Sequence, residues 1–125
     1  MRLEYYPVNK LKKKILHIVG RHLDLNAYSV FFFGSRVIGK GDERSDIDIG
    51  IEGPEEISFE VMARIREEID DLSTLYKIGI VDFKNVSAEF KKVALKQIDI
   101  ISDWYTLNGW ISNYSKAVRK SIKKL

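Results

Sequence analysis

From Val8 to Leu23, apolar residues return at Val8, Leu11, Ile15, Ile18, Val19 and Leu23, with lysines between them. That spacing lays one stripe along one side of a helix. "YSVFFF", from Tyr28 to Phe33, is a short aromatic and β-branched run and predicts a strand buried on both faces. Asp46 to Ile51 alternates aspartate with isoleucine and predicts a second strand, closed by Gly50, Gly53 and Pro54. Ser58 has the chemistry to cap a helix running to about Leu72, with Val61, Met62, Ile65 and Ile69 inward. "YKIGIVDF", Tyr76 to Phe83, predicts a third strand. Ser87 then opens a short helix carrying Phe90, Val93 and Ala94, and Ile98 to Ile101 predicts a fourth strand. From about Asn108 a last amphipathic helix aligns Trp110, Ile111, Tyr114, Val118, Ile122 and Leu125.

The order α-β-(α)-β-α-β-α-β predicts an α/β or α+β layer with helices packed on a sheet. One domain over residues 1–105 and an appended basic helix over 106–125, parted at "TLNG", account for the whole pattern. The apolar stripe of that helix has to be covered by this domain, a second copy or a partner. At 125 residues the chain can bury one sizeable core. Apolar residues at 45% and charged residues at 31% argue against disorder. The absence of cysteine excludes disulfides, thiolate nucleophiles and cysteine metal sites, and fits a reducing cytoplasm. No apolar run approaches the ~20 residues of a membrane span, and the first residues lack the apolar core of a secretory signal. A cytoplasmic protein without a membrane partner is the expectation. The net charge of +3 gathers at the end, in Lys116, Arg119, Lys120, Lys123 and Lys124, most simply a solvated face.

The chemistry concentrates in "FFFGSRVIGKGDERSDIDIGI", Phe31 to Ile51. A strand that ends in Gly34-Ser35 and turns exposes free backbone N–H groups, and Ser35 adds a hydroxyl donor, a combination that favours phosphate. Asp46 and Asp48, two apart on a strand, leave the same face, while Ile47, Ile49 and Ile51 leave the other. Two neighbouring carboxylates repel unless protonated or bridged by a cation. Oxygen ligation of this kind suits Mg²⁺ or Mn²⁺, bound through carboxylates and substrate phosphates. A phosphate cradle beside such a pair points to phosphoryl or nucleotidyl transfer. Arg36, Lys40 and Arg44 in the connecting loop can neutralise further phosphate charge.

Gly34-Ser35, ten residues, then Asp46-Ile47-Asp48 resembles the Gly-Ser-x10-Asp-x-Asp pattern of the DNA polymerase β-like nucleotidyltransferase superfamily. "FGSRVIGKGDERSDIDI" is most similar to its minimal, MNT-type members, found as antitoxins beside HEPN-domain toxins. The likeness runs over about residues 8 to 102 and is specific from Phe33 to Ile49. It implies a small mixed sheet flanked by helices. It also implies that Asp46 and Asp48 hold two Mg²⁺ ions, and that Gly34 and Ser35 hold the triphosphate of a nucleotide, usually ATP. One ion then activates an acceptor hydroxyl and the other stabilises departing pyrophosphate, and some such antitoxins transfer AMP to a tyrosine of the cognate toxin. The implied partners are a nucleoside triphosphate and a protein such as a HEPN-type toxin, with a homo-oligomer as the other source of the acceptor. Nucleic acid is not expected, because the chain lacks room for the domains that hold it.

One departure stands out. Relatives supply a third acid from a neighbouring strand, often the first Asp of a "VDLVD"-like run. The matching run here is "IGIVD", so that place holds Gly79. Asp82 is the remaining candidate for a third metal ligand, provided that a bulge at Gly79 re-aims the strand. The other reading is a two-acid module that binds nucleotide or toxin and transfers slowly or not at all. His17 and His22 sit five apart, the wrong spacing for one helix face. Trp104, Tyr105 and Trp110 read as packing residues.

Overall fold

The aromatic run lies in the middle of a sheet. The computed structural model describes residues 1–42 and 44–102. In chain order the elements are α1 (Val8–Gly20), β1 (Ser29–Phe33), β2 (Ile47–Glu52), α2 (Phe59–Asp70), β3 (Ile78–Asp82), α3 (Ala88–Ala94) and β4 (Asp99–Ile100). The sheet order is β3-β2-β1-β4. β1 is antiparallel to both β2 and β4, whereas β2 and β3 are parallel and are joined by the crossover helix α2. The expected small mixed sheet flanked by helices is therefore what forms. The last predicted helix lies outside the described residues.

Both faces of the sheet are covered, which explains why β1 is buried at all five positions. Val30, Phe32, Ile47, Ile49, Ile51 and Ile80 pack with Leu11, Ile15 and Val19 of α1 and Met62, Ile65 and Ile69 of α2. Phe31, Phe33 and Phe83 form a smaller cluster on the other face with Leu95 and Ile98. Alternate residues of one strand thus enter two different cores, because successive side chains of a strand point to opposite faces.

The predicted caps form. Ser58 Oγ accepts from Val61 N at 3.2 Å and Ser87 Oγ from Phe90 N at 3.1 Å. One expectation is corrected. Gly50 does not close β2, which continues to Glu52. A Cβ at Gly50 would lie 2.5 Å from the Phe31 ring and 2.6 Å from the Phe83 ring, so this glycine lets two aromatic rings lie on the strand. The predicted α3 forms as well; none of its residues is fully buried, and Phe90 and Val93 are 44% and 65% exposed. The buried Glu52 accepts a hydrogen bond from Lys91 Nζ at 2.9 Å, tying α3 to the sheet. His22 is paired with Glu68, which joins the end of α1 to α2 and gives that histidine a structural role.

Gly50→Ala should lower unfolding stability by about 1–3 kcal/mol, the usual cost of overpacking a tight core. Urea denaturation checks this, and an unchanged midpoint would show that the rings move aside without strain.

Candidate active site

The antiparallel pairing of β1 with β2 builds the site. Phe33, the last residue of β1, lies opposite Asp48. The chain then turns at once: Gly34 has φ of 87°, and a Cβ there would lie 2.3 Å from Asp48 Oδ2. Only glycine combines that backbone conformation with so close an approach. In the turn that follows, Val37 N and Ile38 N donate to the Gly34 carbonyl, and Lys40 N and Gly41 N donate to the Ser35 carbonyl. The N–H groups of Ser35 and Arg36 precede the first of these bonds and have no partner within the turn, like the first donors of a helix. Donors of the kind that suit phosphate are thus set beside a carboxylate.

Asp48 is half-buried, and Asp46, just ahead of β2, is exposed. Burial, and then the charge of Asp46, raise the Asp48 pKa above its usual value. The electrostatic coupling agrees with both aspartates leaving one face of the chain. Among the described residues neither is in an ion pair. Two oxygen ligands that repel one another and lack a protein cation suit a hard divalent ion such as Mg²⁺ or Mn²⁺.

A cleft of about 700 Å³ opens over this point. Gly34, Ser35 and Asp48 contribute to its lining, as do Lys40 and, from the α3 end, Lys96. Its size is that of an ordinary small-molecule site. Two of the predicted nucleotide-binding residues are elsewhere. Arg36 is turned away: its Nε donates to the Ser45 carbonyl at 2.8 Å, and its guanidinium stacks 4.8 Å from the Tyr76 ring centre. It braces the loop between β1 and β2, and its buried Nη2 has no partner among the described residues. Arg44 is exposed and gives its backbone N–H to Asp42 Oδ1 at 2.8 Å, outside the cleft lining.

The expectation for Asp82 is also corrected. Pairing of β2 with β3 is continuous from Ile47–Ile78 to Ile51–Asp82, with no bulge at Gly79. Asp82 pairs with Ile51, a residue of the α1–α2 core, and so lies on the face opposite Asp48. Both its oxygens are engaged, accepting from Ile57 N at 2.8 Å and Lys84 N at 2.9 Å. Gly79 is the residue that faces Asp48. Its missing Cβ would sit 3.7 Å from Asp48 Oδ1, with nothing nearer. Among the described residues no group of three or more His, Asp or Glu is placed to hold a metal.

The α3-end residues Phe90, Val93, Lys96 and Gln97, which also line the cleft, carried no functional signal in the sequence. A seven-residue helix shows too little periodicity to reveal which side meets the sheet.

A raised carboxylate pKa has a sign that can be tested. The folded state disfavours ionised Asp48, so it loses stability above the raised pKa and recovers it as pH falls through that value towards the unfolded one. In EDTA at pH 7, Asp48→Asn should melt above the wild type, and the gap should close towards the ordinary carboxylate range near pH ~4. A variant that melts lower at pH 7 would contradict the electrostatic description.

A family model described as "Polymerase beta, Nucleotidyltransferase" matches residues 8–103. A probable protein adenylyltransferase MntA of Haemophilus influenzae is 29% identical over 76 residues, covering 61% of this chain and 67% of that protein. Among solved structures, a toxin–antitoxin with AMP-PNP superposes with a TM-score of 0.61 at 15% identity, covering 90% of this chain and 84% of the other. A tri-AMPylated Shewanella oneidensis HEPN toxin in complex with MNT antitoxin gives 0.60 at 14% identity, covering 92% and 84%. At these identities the structural agreement is one of fold. No helix among the described residues is long and apolar enough to cross a membrane.

Proposed function

This chain belongs to the polymerase beta nucleotidyltransferase family, and from that premise we propose that it is an MNT-type member that transfers AMP from ATP to a hydroxyl of a partner protein. The observation that carries this reading is the contact of the Gly34 turn with Asp48, where a Cβ would stand 2.3 Å from the carboxylate oxygen. A triphosphate held by the Ser35 hydroxyl and the first N–H groups of that turn has its phosphates beside the aspartate pair. Lys40 and Lys96, on the cleft walls, add positive charge for the polyphosphate. Asp46 and Asp48 would hold a Mg²⁺ or Mn²⁺ ion, which would neutralise phosphate charge where the acceptor approaches. The remaining contribution of the chain is positioning, which suits a reaction that needs little covalent help from protein groups. ATP as donor and a HEPN-type toxin as acceptor are supported by relatives that carry a protein adenylyltransferase name or a tri-AMPylated HEPN toxin with an MNT antitoxin.

Gly79 favours a second reading. With two acids and a vacant third position facing Asp48, the domain binds metal-nucleotide or its toxin partner while transferring slowly.

One experiment separates the two. The protein is incubated with Mg²⁺ and ATP labelled at the α-phosphate, with and without the protein encoded beside it. Label on the partner that disappears in Asp46→Ala and Asp48→Ala is the expected result. Tight complex formation without label, unaffected by either substitution, would leave only the binding module. Gly79→Asp should raise the labelling rate at least tenfold, since the added carboxylate has open space beside Asp48; an unchanged rate would mean that the natural site needs no third acid.

A further inference from the structure

Part of the cleft wall is apolar where neither phosphate nor metal needs it to be. Six large hydrophobic residues are exposed among the described ones, and three of them, Phe90, Val93 and Ile38, line this one cleft. Such a cluster beside polar groups marks a surface that something covers. Phe90 is held as a fixed platform. Its ring packs edge-on against Phe33 at 6.0 Å and 86°, and tilted against Phe83 at 5.9 Å. Phe33 in turn is the strand partner of Asp48, so the platform stands one ring away from the carboxylate. The buried Leu95 and the Lys91–Glu52 pair anchor the helix that carries it.

We propose that Phe90 is the stacking platform for the nucleobase of the bound triphosphate, with Val93 and Ile38 as its apolar flanks. The inference rests on the nucleotide reading given above. A nucleotide whose polyphosphate lies on the Gly34–Ser35 turn and whose α-phosphate lies at Asp48 has its base only one sugar away. Within the same cleft the α3 wall offers that flat apolar group a ring to stack on. A pre-anchored ring loses little freedom when a base settles on it, and stacking is tolerant of base identity.

The test is calorimetric titration of the full chain in Mg²⁺ with two probes: α,β-methylene-ATP, which carries the base, and inorganic triphosphate, which does not. The wild type should bind the nucleotide analogue more tightly. Phe90→Ala should weaken the analogue roughly 5- to 100-fold, the range for losing one base–aromatic stack, and leave triphosphate affinity unchanged. Phe90→Leu, which keeps apolar bulk without the ring, should also weaken it, and Phe90→Tyr should restore it. Because Phe90 is half-exposed, the Leu variant carries the test if the Ala variant unfolds. Unchanged analogue affinity in both variants would overturn the platform; if labelling of the partner then fell, the patch would belong to the acceptor. A parallel loss of triphosphate affinity would overturn it too, as would equal wild-type affinity for both probes. A wild type that bound neither probe would overturn the nucleotide reading along with it.

Discussion

The site depends on one close approach, that of the Gly34 backbone to the Asp48 carboxylate. It follows from the β1–β2 register, which sets Phe33 opposite Asp48 and brings the next residue round the end of the carboxylate. A side chain at position 34 would force the strands apart or the carboxylate away. With glycine there, a turn rich in free donors and a charged oxygen pair share one end of the sheet. The raised pKa of Asp48 is the electrostatic cost of that arrangement. A cation held between Asp46 and Asp48, as proposed above, would relieve it.

Both cores serve this geometry. The α1–α2 core holds β2 and β3 through the isoleucines that alternate with the aspartates, which fixes the face on which Asp46 and Asp48 emerge. The aromatic core on the other face makes room over Gly50 for Phe31 and Phe83 and supports Phe90 at the cleft wall.

Most of the elements were legible in the sequence, because helix stripes, Ser caps and short apolar runs are local signals. The Gly34-Ser35 turn and its nearness to the aspartate pair were legible as well, since their spacing lies within one hairpin-sized stretch. Arg36 was misjudged for a physical reason. A cationic side chain in a phosphate loop is expected to face the phosphate, yet this one is taken up by Tyr76 and the Ser45 carbonyl, partners that only folding brings near. Asp82 was a candidate only if a bulge at Gly79 re-aimed β3; the pairing runs on without one, and two backbone N–H groups claim its oxygens.

By itself the sequence determined the order of elements, the family resemblance and the two acids on one strand face, because each is encoded within a few neighbouring residues. It also identified Gly79 as the position without an acid. What only the tertiary structure decided was which residues meet across strands. Register set Gly79 against Asp48 and Asp82 beside Ile51. Packing of α3 brought Phe90 to the cleft. Those contacts join segments far apart in the chain, and no local pattern fixes the register or the docking that creates them.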